Sequence, residues 1–371
     1  MPLTELDSHY MAHALRLAER GRYTTMPNPR VGCVLVRDGE QVAEGWHEWA
    51  GKAHAEINAI NNAGSRAPGA TAYVTLEPCN HTGRTGPCSQ ALVDAGIARV
   101  VYAMEDPNPR VAGEGLDTLR RAGVEVEGPL MEDEARALNA GFIKRMERGL
   151  PLVRCKLAMS LDGRTAMASG ESKWVTSRRS REDVQRLRAR SCAIVTGVDT
   201  VLMDQAALTV RAAELKLDDA ERIARRQPLR VVLDSRGRMT PDAPLLQHPG
   251  PVLLVHGSEP RPQAWPEQVE TLILPGRGGR IDLRALLEEL ARRECNDVLV
   301  ESGATLAGAF LGLGLLDEAI IYMAPKLLGS NARPLFQLPL DTMAAQLPLK
   351  IHDIRAIGQD WRITASPDPE G

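Results

Sequence analysis

Aromatic side chains are scarce: phenylalanine, tryptophan and tyrosine together make up 4% of the 371 residues. So few rings argue against a platform on which the bases of a single strand would stack. An excess of positive charge is missing as well. The formal net charge is −3, which advertises no surface for a phosphate backbone. The longest apolar stretch, Ala304 to Leu316, is interrupted by glycines and is too short to span a bilayer. The N-terminus contains no apolar core of the signal-peptide kind. Six cysteines (Cys33, Cys79, Cys88, Cys155, Cys192 and Cys295) are scattered through the chain, which fits a reducing compartment better than a disulfide framework. A soluble cytoplasmic protein with neither nucleic acid nor membrane as partner is expected.

What is present suggests two domains, since 371 residues with 43% hydrophobic content can bury more than one core. Met11, Ala14, Leu15 and Ala18 recur at helical spacing behind Asp7-Ser8, a candidate cap. Two β-branched runs, Val31–Val36 and Gln41–Trp46, flank Asp38-Gly39, which is a hairpin signal. Helices and strands then alternate: helix 54–63, strand 72–76, helix 88–95, strand 99–103, helix 115–122. A long helix over 132–146 carries Ala135, Leu138, Phe142 and Met146 on one face. Such alternation predicts a layered α/β sandwich. The pattern breaks at Arg148-Gly149-Leu150-Pro151, so domains are expected over 1–148 and 149–371. The second half again alternates, with strands at 152–158, 192–196, 229–233, 252–255 and 297–300. Helices are expected at 177–190, 282–293 and 305–311. Its last third reads as strands 319–323, 349–357 and 361–365 without helices between them, which points to a mixed sheet with antiparallel edges. The basic cluster Arg222–Arg230 reads as a solvated helix end or loop.

The chemistry-bearing pattern is His54-Ala55-Glu56, then Pro78-Cys79, then Pro87-Cys88. One imidazole and two thiolates supply three zinc ligands and leave a fourth position for water, whereas a structural site normally closes with a fourth side chain. Cys88 is expected at a helix start, where the dipole favours thiolate. Glu56 is rotated about 200° from His54 on a helix, so it is a candidate proton carrier rather than a fourth ligand. The pattern resembles that of the zinc nucleobase deaminases, except that Asn80 to Pro87 separate the two thiols.

Thr75-Leu76-Glu77-Pro78-Cys79-Asn80-His81-Thr82-Gly83-Arg84-Thr85-Gly86-Pro87-Cys88, together with His54-Ala55-Glu56, resembles the deaminase half of the RibD family of bifunctional riboflavin-biosynthesis proteins. That family carries the longer loop between its cysteines. Asn28-Pro29-Arg30-Val31-Gly32 and Gly45-Trp46-His47 also match its pattern, and Lys156 to Gly163 and Val300-Glu301-Ser302-Gly303 match its reductase half. The resemblance implies a cytidine-deaminase-like αβα sandwich followed by a dihydrofolate-reductase-like mixed-sheet domain. It implies Zn2+ and NADPH as cofactors and a small phosphoribosylaminopyrimidine as substrate. The 2-amino group of 2,5-diamino-6-(5-phosphoribosylamino)pyrimidin-4-one would be hydrolysed, and the ribosyl chain then reduced to ribityl. A homo-oligomer is expected.

By the same resemblance Asn28, His47, His81 and Arg84 line the deaminase pocket. The last two are donors that suit a 5′-phosphate. In the reductase half Ala158, Trp174, Thr200, Asp204, Ser235 and Gly303, Ala304, Thr305, Leu306, Ala307, Gly308 and Ala309 would contact NADPH. Ser172, Arg188, Leu208, Arg211 and Glu301 would contact substrate. No G-x-G-x-x-G follows a strand, but Asp297 to Leu306 reads as a strand, a glycine turn and a helix, which presents N–H groups to an anion. Arg178, Arg179 and Arg236 are candidates for a cofactor 2′-phosphate. Lys156 on an apolar strand needs a partner, with Asp204 or Glu301 as candidates, and Lys156 and Asp204 are expected to serve reduction. Two rival readings remain: a nucleic-acid or nucleoside deaminase with an unrelated C-terminal region, and a non-catalytic zinc protein whose metal His81 would close.

Overall fold

The computed structural model describes residues 3–80, 86–108 and 112–368, and the chain divides into two compact units, Met1–Gly149 and Leu150–Gly371. In the first unit β1 (Gly32–Arg37), β2 (Glu40–Trp46), β3 (Thr71–Val74), β4 (Arg99–Tyr102) and β5 (Glu125–Glu127) form one sheet of order β2-β1-β3-β4-β5. β1 and β2 form the hairpin, with Asp38 and Gly39 at φ 54° and 81°, the left-handed pair that a two-residue turn uses. β1 is antiparallel to β3, while β3, β4 and β5 run parallel.

Alternate strand residues feed two cores. Cys33, Leu35, Ala72, Val74 and Val100 pack with the helices Ala55–Ala63, Cys88–Asp94 and Glu114–Arg121 on one face. Val34, Val36, Tyr73 and Val101 pack with Glu5–Ala18 and the 132–148 region on the other. Period-two alternation between helix-covered faces makes the three-layer sandwich.

Two expectations need correction here. The first helix is capped by Thr4, and Asp7 is its N3 partner in a capping box rather than the cap. Asp7 is buried because it also accepts from Tyr73 and Arg99, both at 2.7 Å. The expected helix over 132–146 is two helices, Glu132–Leu138 and Ala140–Arg148. Asn139 interrupts it by using its side chain elsewhere: Oδ1 accepts from the Arg30 N–H at 2.8 Å and Nδ2 donates to the Arg30 carbonyl at 2.9 Å. Asparagine competes for backbone groups in this way and breaks helices.

The second unit contains β6 (Leu152–Ser160), β7 (Arg164–Ala166), β8 (Ala193–Gly197), β9 (Leu229–Leu233), β10 (Val252–His256), β11 (Val269–Ile273), β12 (Asp297–Glu301), β13 (Glu318–Ala324), β14 (Arg333–Pro334), β15 (Leu349–Ile357) and β16 (Asp360–Pro367). Nine of them form a sheet of order β11-β10-β9-β8-β12-β6-β13-β16-β15, and β7 pairs with β14. Strands β11 to β13 in that order are parallel, and the antiparallel pairs β13/β16 and β15/β16 finish one edge. The mixed sheet expected from the helix-free last third is therefore present.

Cys192 lies one residue ahead of β8, where it packs on the core and its free thiol shares a hydrogen bond with that of Cys295. The basic cluster is not wholly solvated. Arg230 is fully buried and donates to the carbonyls of Ala207, Leu245, His248 and Gly250. Those contacts hold it, and among the described residues it meets no carboxylate.

Candidate active sites

His54 is the N-cap of Ala55–Ala63, with extended backbone at φ −73°, ψ 168°, and Cys88 is the first residue of Cys88–Asp94. Cys79 reaches the same point from the loop after β3. His54 Nδ1 lies 3.3 Å from Cys88 Sγ and 3.5 Å from Cys79 Sγ, and the Cys88 N–H donates to Cys79 Sγ at 3.5 Å. The ligand atoms of these three residues all lie within 4.8 Å of one another. Hydrogen bonds from Cys88 and His54 draw the Cys79 thiol well below its ordinary value against the pull of burial, while Cys88 is raised by the same bond. Two sulfurs and an imidazole this close are a donor set that suits zinc.

Glu56 lies in the first turn of the helix that His54 caps and is 3% exposed. Burial, then the Cys79 charge, pushes its carboxyl up to about 7. It is not one of the mutually close ligand atoms, yet it bonds the Cys88 thiol. A buried carboxyl poised near neutral pH is the kind of group that gives and takes protons.

His47 lies just past β2 and is 2% exposed, not the surface histidine that a hairpin end suggests. Its Nδ1 donates to the Ala53 carbonyl at 3.0 Å, which leaves Nε2 to accept from Asn28 Nδ2 at 3.2 Å. Burial lowers its pKa, so the ring is held neutral. The His47 and His54 rings meet edge to face, with centroids 5.4 Å apart. Asn28, His47, His54 and Glu56 are thus in one place. His81 and Arg84 lie outside the described residues.

Sequence reasoning gave Glu77 no role. Its buried carboxylate accepts the N–H groups of Asp106, Gly113 and Gly115 at 3.1, 3.0 and 3.0 Å. It ties a second loop to the segment that carries Cys79. A Cβ on Gly115 would fall 1.9 Å from the Pro78 carbonyl oxygen, so only glycine allows that approach. The signal was a glutamate directly after an apolar strand. Asn139 gave none, because a lone asparagine in a helical pattern has many ordinary uses.

In the second unit the ends of parallel strands open onto a cavity of about 1050 Å³. β8 ends at Gly197 and leads into the helix Val198–Asp204. β12, its neighbour, leads through Ser302-Gly303 into Ala304–Gly312. A Cβ at Gly197 or Gly303 would meet nothing within 4 Å. Two adjacent glycine turns, each heading a helix with free N–H groups, are a cradle for a phosphorylated cofactor outside the carboxyl ends of strands. The residues fit NADPH on that ground.

Ala158, Trp174, Thr200, Asp204, Gly303, Ala304, Thr305 and Leu306 line this cavity, as do Lys156, Ser172, Arg188, Leu208, Arg211 and Glu301. The side chain of Leu208 is buried in the core and its φ is +53°, so a backbone group is what it can offer. Ser235, Ala307, Gly308 and Ala309 do not line the cavity. Ser235 sits in the turn after β9. Ala307 is fully buried, Ala309 packs on the same core, and a Cβ on Gly308 would lie 2.2 Å from the Gln337 carbonyl oxygen. Those three face the interior because a helix leaving a sheet presents only its first turn to the strand ends.

The anticipated ion pairs are rearranged. Glu301 grips Arg188 through two bonds of 2.6 and 2.9 Å; burial would raise its pKa, but Arg188 holds it below the usual carboxylate range. Asp204 accepts from Ser172 Oγ at 2.8 Å. Lys156 therefore has neither as a direct side-chain partner, and among the described residues its ammonium makes no hydrogen bond or ion pair. Burial lowers its pKa, opposed in part by the charge of Glu301. Trp174 is exposed, with the Arg181 guanidinium 4.3 Å above its ring. Arg178 pairs with Glu182 at 3.0 Å, and Arg179 packs on Gly358.

Comparison with known proteins agrees with this division. The family described as "Cytidine and deoxycytidylate deaminase zinc-binding region" matches residues 4–104, and "RibD C-terminal domain" matches residues 151–363. The chain is 53% identical to the riboflavin biosynthesis protein RibD of Escherichia coli (strain K12) over 358 residues, covering 95% of this chain and 97% of that one. It is 49% identical to the protein of the same name from Haemophilus influenzae, covering 97% of each. Among solved structures, Acinetobacter baumannii RibD superposes with a TM-score of 0.90 at 46% identity, covering 98% of this chain and 99% of that chain. A deaminase/reductase from Thermotoga maritima does so with a TM-score of 0.85 at 31% identity, with the same coverage.

Proposed function

The chain belongs to the RibD family of riboflavin biosynthesis proteins, and on that footing we propose which residues carry each of its two reactions. It is a zinc deaminase and an NADPH-dependent reductase that converts 2,5-diamino-6-(5-phosphoribosylamino)pyrimidin-4-one to 5-amino-6-(5-phosphoribitylamino)uracil. Deamination exchanges the 2-amino group for oxygen, consuming water and releasing ammonia. Reduction adds a hydride and a proton to the opened ribosyl chain.

In the first unit His54, Cys79 and Cys88 would hold the zinc. When bound, the metal supplies Lewis acidity that activates water at neutral pH. Glu56, buried and raised to about 7, takes a proton from the water and passes it to the departing ammonia. Asn28 and neutral His47 orient the pyrimidine ring by hydrogen bonds, each fixing the other's donor role. His81 and Arg84 are assigned the 5′-phosphate. Glu77 is a positioning residue that holds the neighbouring loop against Pro78.

In the second unit the glycine turns at Gly197 and Gly303 cradle the cofactor phosphates, and Trp174, Ala158 and Thr200 flank it. NADPH supplies the hydride. Lys156, without a carboxylate partner and with a lowered pKa, gives up a proton as hydride reaches C1′. Asp204, fixed by Ser172, orients the sugar chain, while the Arg188–Glu301 pair forms the wall on which the substrate rests.

The convergence of His54, Cys79 and Cys88 carries this reading. The test is to incubate metal-replete protein with the diaminopyrimidine ribotide and follow ammonia and NADPH absorbance separately. Both signals are expected, and Asp204→Asn should depress the second while sparing the first. Equal loss of both would contradict the assignment. The free thiols and thiolate ligands suit a reducing compartment, which supports a cytoplasmic enzyme. Leu349, Ile351 and Ile354 of edge strand β15 and Trp361 of β16 are exposed, an apolar edge that supports a homo-oligomer. Sedimentation of the purified protein would show a monomer if that proposal is wrong.

A further inference from the structure

Substrate and NADPH both reach the second unit as phosphate esters, and each phosphoryl group needs donors that are not already engaged. The other arginines that line the cavity are engaged, Arg178 by Glu182. Arg188 gives Nε and Nη2 to Glu301 and Nη1 to the Thr209 carbonyl at 3.1 Å. Arg211 is held by Glu214 through bonds of 2.6 and 2.8 Å. Arg181 lies over the Trp174 ring and donates Nη1 to the Thr176 carbonyl at 3.0 Å. Arg333 lines the same cavity, yet among the described residues its guanidinium meets no carboxylate and donates no hydrogen bond.

Its place is defined on three sides. Arg333 opens β14 and pairs with Ala166 of β7, while the buried residue before it, Ala332, accepts from Arg164 Nη1 at 3.4 Å. Across the cavity rim, a Cβ on Gly170 would come within 3.0 Å of Arg333 Nη2 and 2.8 Å of Met203 Cε. The guanidinium therefore lies against bare backbone that a side chain would fill, at a glycine with φ +96°. Four residues on, Gln337 donates its N–H to the Ala304 carbonyl at 3.0 Å and bonds Thr305 Oγ1 at 2.8 Å. The segment carrying Arg333 is thus tied to the N-terminal turn of Ala304–Gly312, whose leading N–H groups suit an anion.

We propose that Arg333 is a phosphate-binding residue of the reductase cavity, taking a phosphoryl oxygen of the bound ribotide or of NADPH. The proposal rests on the reductase reading of the second unit. In the ligand-bound enzyme the guanidinium presents paired donors that a lysine would replace only as a point charge. It holds the charged end of its ligand against the Gly170 turn.

The test compares full-length, zinc-loaded wild type with Arg333→Ala and Arg333→Lys. The readouts are NADPH affinity without substrate, by fluorescence, and KM for the ribotide and for its dephosphorylated analogue at saturating NADPH. Ammonia release serves as the control for intact protein. Arg333→Ala should weaken one phosphate-bearing ligand by roughly 10–100-fold, with kcat little changed and part of the loss regained in Arg333→Lys. Weaker NADPH binding identifies the cofactor as the source of the phosphate. A KM rise for the ribotide, with the dephosphorylated analogue unaffected, identifies the substrate. Unchanged affinities, or equal losses with and without the substrate phosphate at unchanged NADPH affinity, would overturn the assignment. Wild type that binds no NADPH would instead sink the reductase reading on which it stands.

Discussion

In the first unit three ligand atoms, from a helix N-cap, a loop and a helix start, lie within 4.8 Å of one another, whereas the second unit spreads its polar groups over a cavity of about 1050 Å³. The first site is a point, set by covalent spacing within two short segments. The second is a surface assembled from strand ends, the β7–β14 pair and two helix starts. Charge is handled differently too. Around His54 the donors converge on one point, and hydrogen bonds from Cys88 and His54 lower the Cys79 thiol. In the second unit Arg188 pairs with Glu301 and Arg211 with Glu214, and among the described residues Lys156 and Arg333 have no carboxylate partner. A point site fails completely when one ligand is lost. A surface site loses function by degrees.

The largest effect tests that contrast directly. Cys79→Ala should abolish zinc binding and take ammonia release below detection, while NADPH oxidation with the deaminated ribotide supplied directly continues; parallel loss of both would erase the distinction. Glu56→Gln comes next. Zinc content should stay stoichiometric while deamination falls by about 10²–10⁴-fold, the range for removing a positioned acid–base group. Loss of the metal in this variant would make Glu56 a ligand instead.

A pH profile sharpens the other half. Lys156 must be protonated to donate, and burial has lowered its pKa. Reduction should therefore fall as pH rises through a value below the ordinary lysine range of about 10.4. Lys156→Met should remove that limb along with most of the rate. A limb of the same position in ammonia release would show that it belongs to something shared. The smallest effect concerns the scaffold: Asn139→Ala removes the partner of two part-buried backbone groups of Arg30 and should cost about 1–2 kcal/mol, read as a lower melting temperature of the first unit with zinc content retained.

The same contrast explains what could be read from the chain. His54, Cys79 and Cys88 were legible because metal chemistry constrains residue type and spacing locally. The hairpin at Asp38-Gly39 and the mixed sheet were legible for the same reason, since turns and alternation are local. The cavity residues of the second unit came from family resemblance, because Lys156, Arg188, Asp204 and Glu301 meet only once distant strands are paired. Where local pattern misled, a longer-range bond was involved: Asn139 broke a helix to clamp Arg30, Asp7 serves the capping box from N3 while its other oxygen meets Tyr73 and Arg99, and Arg230 exchanged solvent for four carbonyls. Ala307, Gly308 and Ala309 do not line the cavity, because the motif continues past the one helical turn that reaches it.

Zinc-edge X-ray absorption on the purified full chain addresses the central claim most directly. Two sulfur ligands and one imidazole, completed by a light-atom ligand that a pyrimidine analogue displaces or perturbs, is the predicted spectrum. A shell filled by four protein side chains, or zinc content unaffected by the loss of Cys79 or Cys88, would contradict it.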